Sequence, residues 1–135
     1  MQRLKTRRQF QAVLAGSTLA RTVHFALHCC ALEEAVAVVH NPALPALFPI
    51  PGVWMGAMVP KRWAKRSVTR NAIKRQIYNV SADLEPQLSV RAHVVRLRAT
   101  FDRTQFVSAS SDALKTAVRT ELQLLFSRVG PPSGA

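Results

Sequence analysis

The sequence predicts a single α+β domain with helices and strands in the order αβββαβα. Three observations carry this expectation. Two long segments, residues 68–83 and 110–128, space their apolar side chains as one helix face requires, at about 100° per residue. Short apolar or alternating runs at residues 22–32, 53–59 and 92–99 have the length and composition of strands. The chain has 135 residues and no internal repeat, which suits one domain that buries roughly two-thirds of its unfolded surface.

Residues 4–14 set Phe10, Val13 and Leu14 among Arg3, Lys5, Arg7 and Arg8, and read as a short basic helix closed by Gly16. The run 22–32 is rich in strand formers. Its alternation puts His24 and His28 on one partly wet face and Phe25, Leu27 and Cys29 on the other. Residues 35–40 read as a short strand, and 41–51, with four prolines, as a loop. A buried strand over 53–59 ends at Pro60, and 61–66 form a basic loop. Ser67 is the expected N-cap of the helix over 68–83. Its apolar face holds Val68, Ala72, Ile73, Ile77, Val80 and Leu84, with Arg70, Asn71, Lys74, Arg75 and Tyr78 across from them. Pro86 marks its end. Residues 92–99, with Val94, Val95 and Leu97, give another strand. The last helix has a core stripe of Leu114, Val118, Leu122, Leu125 and Val129. The domain is expected to span 1–129, with a frayed tail over 130–135.

Charge narrows the function. There are 19 Lys and Arg against 7 Asp and Glu, for a net charge of +12, a field that favours polyanions. Arginine outnumbers lysine by 14 to 5, and its planar fork matches phosphate and stacks on bases. The sequence has no apolar run long enough to span a membrane and no lipidation motif, which leaves nucleic acid as the partner. Cys29 and Cys30 are neighbours that point to opposite faces of a strand, so they read as buried thiols in a reducing, cytoplasmic protein. His24, His28, His40 and His93 lack metal-ligand spacing with a carboxylate or cysteine, and no protein-held metal is expected. The acids are scattered, and none is set as a catalytic pair.

The strongest signal is local. Residues 41–82 contain no acid, while Lys61, Arg62, Lys65, Arg66, Arg70, Lys74 and Arg75 place seven cations in fifteen positions. Solvated helices usually mix charge signs; an unmixed face is stabilised by a polyanion through counterion release. Asn71 stands within it, able to donate and accept toward a base edge, a 2′-hydroxyl or a phosphate. Trp54 is expected to pack in its strand. Trp63, in the basic loop, is open to stacking on a base or to covering the sheet edge.

These residues resemble the protein subunit of bacterial ribonuclease P. The resemblance rests on Gly56 and Val59 at the end of a strand, the pair Lys61-Arg62, the pair Lys65-Arg66, and the helix pattern Arg70-Asn71-Ala72-Ile73-Lys74-Arg75. It extends over roughly residues 3–128. It implies a mostly antiparallel central sheet with a left-handed crossover, like the second domain of a ribosomal protein. It also implies a signature helix and loop that contact the catalytic RNA, and a cleft for the 5′ leader of precursor tRNA. On this resemblance the RNA-binding residues are Lys61, Arg62, Lys65, Arg66, Arg70, Asn71, Lys74 and Arg75. The leader-cleft residues are Phe10, Phe25 and His28. No catalytic residue lies on the protein, magnesium is held mainly by the partner RNA, and one protein binds one RNA. Ala72 and Tyr78 stand where members usually carry Arg, Leu14 and His28 where many carry an aromatic ring, and 41–51 looks like an insertion. The competing reading is a basic ribosomal-type structural protein, which would show the charge without this order of motifs.

Overall fold

The computed structural model describes residues 1–32, 47–101 and 112–129. The chain enters as a two-residue strand β1 (Gln2–Arg3), then forms helix α1 (Arg7–Leu14) and strands β2 (Ser17–Arg21), β3 (Phe25–Cys30) and β4 (Trp54–Met58). Helix α2 (Ser67–Asp83), a 3-10 turn (Glu85–Gln87) that contains Pro86, strand β5 (Ala92–Leu97) and helix α3 (Asp112–Ser127) follow. The described strands form one five-stranded sheet in the order β1-β4-β5-β3-β2. β1 is parallel to β4 and β4 to β5, whereas β3 is antiparallel to both β5 and β2. The sheet is thus mixed, not mostly antiparallel. Helix α2 joins β4 to its neighbour β5, and such a crossover leaves the two strands parallel.

Helix α1 starts later than the sequence pattern suggests because Thr6 and Gln9 close a capping box. Thr6 Oγ1 accepts from the Gln9 N–H at 3.2 Å, while Gln9 Oε1 accepts from the Thr6 N–H at 3.1 Å and the Lys5 N–H at 2.6 Å. The residues ahead of the cap are free to extend the sheet, so Gln2 pairs with Trp54 and Arg3 with Met55. The Gln9 amide also donates to the Leu47 carbonyl at 2.8 Å, tying the helix to the segment before β4.

The sheet separates two cores. On one face Phe25 and Leu27 of β3 pack with Met55, Val95 and Leu97, under Ile73, Ile77 and Val80 of α2 and Leu114, Val118, Leu122, Leu125 and Phe126 of α3. On the other, Ala12 and Val13 of α1 pack with Leu4, Cys30, Leu47, Phe48, Trp54, Ala92 and Val94. Each fully buried Leu, Ile or Phe stabilises by roughly 1.5–3 kcal/mol, so the two-helix face carries most of the apolar stabilisation.

Several expectations change. Every residue of β3 is buried, so neither face of that strand is wet; within the run 22–32 the exposed residue is Val23, ahead of the strand. Strand β2, which the sequence reading left out, covers its edge. Val68 is 55% exposed because it lies about 140° round α2 from Ile73 at ~100° per residue. Phe126 takes the core position expected of Val129, which is only partly buried. Cys29 and Cys30 are both buried thiols. The short strand read at 35–40, most of the loop at 41–51 and the tail at 130–135 lie outside the described residues.

Candidate nucleic-acid interface

The basic loop is a folded turn. The Pro60 carbonyl accepts from the Trp63 N–H at 3.0 Å and the Ala64 N–H at 3.2 Å. Val59 and Ala64, on either side of it, are buried. Anchored at both ends, the turn leaves Lys61 and Arg62 exposed. Ser67 is not the N-cap of α2. The cap is Arg66, in extended backbone and without a side-chain cap bond, and Ser67 is the first helical residue. The Arg66 carbonyl accepts the Arg70 N–H at 3.1 Å, which fixes that register. The first turn holds no acid, so the positive end of the helix dipole opens beside Lys65 and Arg66.

Of the eight residues assigned to RNA, Lys61, Arg62, Lys65, Arg66, Asn71, Lys74 and Arg75 are exposed and gathered on this turn and helix. Arg70 differs. It is half-buried, and its Nη1 donates to the Ala64 carbonyl at 3.0 Å and the Lys65 carbonyl at 2.8 Å. Arg70 therefore braces the turn that displays its neighbours. Trp63 is half-buried against the two-helix core, with its indole N–H buried and without a hydrogen-bond partner. It covers the sheet, and the Arg62 guanidinium lies 5.2 Å from its ring centroid.

A second basic region lies on the α1 side of the sheet. Phe10 rests on β4 at Gly56, where a Cβ would come within 2.7 Å of the ring. Phe25 belongs elsewhere: it is 0% exposed and faces α2 and α3. Strand alternation sends it to the side opposite Phe10, so its assignment to a leader cleft is corrected. His28 does share the α1 side, alternating with Phe25 and Leu27. It is only 7% exposed. The Arg96 Nε–H donates to His28 Nε2 at 3.2 Å. The neutral ring's proton then sits on Nδ1, which lies 3.1 Å from Thr18 Oγ1. Burial first, then the charges of Arg96 and Arg21, hold the His28 pKa below its ordinary 6.5. Burial, then the nearby Arg98, Arg62 and Arg21, likewise lower that of Arg96. Among the described residues none of these four arginines forms an ion pair with a carboxylate. The sequence reading missed Arg21, Arg96 and Arg98. A sign was available: Arg96 falls on the strand face of Ala92 and Val94, where an unpaired cation is costly without a partner.

His24 is likewise not a free surface group. Its ring stacks on Phe101 at 3.9 Å. The Glu121 carboxylate of α3 accepts from His24 Nδ1 at 2.7 Å, the His24 N–H at 2.7 Å and Thr22 Oγ1 at 2.6 Å. That acid fastens α3 to the β2–β3 turn. Among the described residues no three His, Cys, Asp or Glu side chains form a group able to hold a metal ion, and no helix is long and apolar enough to cross a membrane.

Comparison with known proteins bears on the family and the fold. The sequence matches the family model described as Ribonuclease P over residues 1–121. The ribonuclease P protein component of Ralstonia pickettii is 32% identical over 133 residues, covering 98% of this chain and 82% of the relative. That of Bordetella bronchiseptica is 31% identical over 127 residues, covering 94% of this chain and 90% of the relative. Among solved structures, the Staphylococcus aureus RNase P protein superposes with a TM-score of 0.64 at 18% identity, over 94% of each chain. A mutant of that protein, described as defective in mRNA degradation activity, superposes at 0.62 and 18% identity over 93% of this chain and 85% of its own. The solved structures share the fold, and the sequence match over most of the chain establishes more: this chain belongs to the ribonuclease P protein family.

Proposed function

We propose that this chain, as the protein subunit of ribonuclease P, supports removal of the 5′ leader from precursor tRNA by binding both the catalytic RNA and its substrate. One observation carries the reading: six exposed cations stand together, with Lys61, Arg62, Lys65 and Arg66 beside a helix start that has no side-chain cap and Lys74 and Arg75 about two turns along the same helix. Such a surface gains affinity by releasing counterions from an RNA backbone. Arg70 holds the turn in shape behind it, and Asn71 reads a base edge, a 2′-hydroxyl or a phosphate.

The leader lies on the α1 side of the sheet. There the Phe10 ring stacks on a nucleotide, and Arg96, oriented by neutral His28, takes a phosphate with help from Arg21 and Arg62. Phe25 has no part in it. Catalysis resides in the RNA. Magnesium activates water and stabilises the leaving oxygen in such hydrolysis, and on this reading the RNA holds it. The protein screens repulsion between two polyanions, one protein to one RNA, in the cytoplasm.

The test is single-turnover cleavage by the reconstituted complex across a magnesium titration. The protein should lower the magnesium requirement and sharpen preference for leader-bearing substrate, and alone it should leave precursor tRNA intact. An mRNA substrate belongs in the same assay, because a variant of the S. aureus protein is described by its defect in mRNA degradation. Each acid and each histidine, replaced singly, should slow the chemical step by no more than about tenfold, ~1.4 kcal/mol of barrier. A roughly thousand-fold loss at one of them, with folding and assembly intact, would place catalysis on the protein and overturn the reading.

A further inference from the structure

The cationic stripe of α2 has a gap. Lys74 and Arg75 are exposed, and at about 100° per residue Tyr78 falls between them in azimuth, one turn further along. A neutral side chain thus stands where the stripe would continue. The reason is visible at the sheet edge. Strand β1 covers β4 only where Gln2 meets Trp54 and Arg3 meets Met55, and the Leu4 N–H closes the ladder on the Met55 carbonyl at 3.0 Å. The next edge donor, the Ala57 N–H, is left without a strand partner, and the Tyr78 hydroxyl accepts it at 3.3 Å. Tyr78 is therefore committed to ending the ladder, with its ring laid beside the end of β1.

The Arg3 guanidinium sits over that ring, 4.0 Å from its centroid. Arg3 is exposed and, among the described residues, forms no ion pair with a carboxylate. A ring face holds a guanidinium without neutralising it, since the quadrupole attracts the cation but carries no net charge. The planar fork stays free to meet a phosphate.

We propose that Arg3, seated on Tyr78, is a phosphate-binding residue of the RNA interface, so that β1 and α2 present one continuous cationic surface. The inference rests on the reading that α2 faces RNA. The Tyr78 ring acts as a positioning platform: it supplies no charge of its own, but it places the charge of a residue far away in sequence at the vacant step of the helix.

The experiment measures affinity of the full chain for ribonuclease P RNA transcribed in vitro, across a series of salt concentrations. Arg3→Gln should weaken binding about 3- to 10-fold and make the log–log salt slope shallower by ~0.7–0.9, the share of one phosphate contact. Tyr78→Phe keeps the ring and should bind within about twofold of wild type. Tyr78→Leu should lose most of what Arg3→Gln loses, and combining the two should add little, because both remove the same contact. Melting curves for each variant separate lost folding from lost binding, and the Phe variant, which gives up only the hydrogen bond from the Ala57 N–H, keeps the ring test available. An unchanged slope for Arg3→Gln overturns the proposal, as do fully additive losses or a Phe variant as weak as the Leu one. If Lys74→Gln makes the slope shallower while Arg3→Gln does not, only the role of Arg3 fails. If wild-type binding is insensitive to salt, the RNA-facing reading of α2 fails with it.

Discussion

Gly56→Ala puts the seating of the first helix to a direct test. A Cβ at Gly56 would lie 2.7 Å from Phe10 Cε1, 2.9 Å from Cζ and 3.2 Å from Leu4 Cβ. Carbon atoms pack best at ~3.5–4.0 Å, so the ring must retreat by about 1 Å. It has little room to do so. Ala12 and Val13 are buried against the sheet, and Gln9 is bonded to the Leu47 carbonyl. Overpacking of this kind costs about 1–3 kcal/mol, which lowers the melting temperature of a domain this size by at least several degrees. Urea and thermal unfolding of Gly56→Ala, Phe10→Ala and the double variant give the coupling. Phe10→Ala removes the obstructing ring, so the double variant should be more stable than the sum of the single losses predicts, by about 0.5–3 kcal/mol. In the reconstituted complex, Gly56→Ala should weaken binding of leader-bearing tRNA and leave mature tRNA unchanged. A Gly56→Ala protein that melts within about 1 °C of wild type and keeps its leader preference would refute the placement of Phe10 on β4.

Other outcomes follow from the same geometry. Leu122→Ala, at a fully buried position between the sheet and α2, should cost about 2–5 kcal/mol in chemical denaturation; a loss under about 1 kcal/mol would contradict the packing of α3. Arg70→Gln removes the brace on the Ala64 and Lys65 carbonyls, so it should lower both stability and RNA affinity, whereas Arg75→Gln should lower affinity alone; equal melting curves for the two variants would count against the brace. His28 has a folded pKa held below 6.5 by burial and by Arg96 and Arg21, so as pH falls below 6.5 the unfolded chain takes up the proton first. Stability contributed by His28 should be present above that value and lost as pH falls through the folded pKa. His28→Asn should flatten part of this acid slope, leaving the part owed to His93, which burial shifts in the same direction; an unchanged slope would sink the assignment.

Periodicity made the two long helices legible, because 100° spacing survives whatever surrounds it. The stripe of Leu114, Val118, Leu122 and Leu125 is buried as read, as are Ile73, Ile77 and Val80. The strands β1 and β2 were hidden for different reasons. Two residues are too short to show alternation, and the Thr6 capping box, by starting the helix at Arg7, leaves the chain ahead of it extended alongside β4. Strand β2 carries a register irregularity between Thr18 and Ala20, which breaks the twofold pattern. The exposed cations of the turn and of α2 could be read from charge alone. The brace at Arg70 could not, and of the cluster of Arg21, Arg62, Arg96 and Arg98 only Arg96 left a sign, since the grouping depends on which strands lie side by side.

The strand order also bears on how the chain is made. Gln2 pairs with Trp54 and Cys30 with Ala92, so among the described strands only the β2–β3 hairpin joins neighbours that are close in sequence. At synthesis speeds of roughly 5–20 residues per second, β1 waits on the order of 5–20 s before the last strand exists. Long-range pairing of this kind must meet its loop-closure entropy before any contact rewards it. Closure of the full sheet therefore comes late. Until it happens, the ribosome holds an unpaired, strongly cationic chain beside its own RNA. Translation that stops before residue 97 yields no smaller working domain, only open strand edges and unspent positive charge.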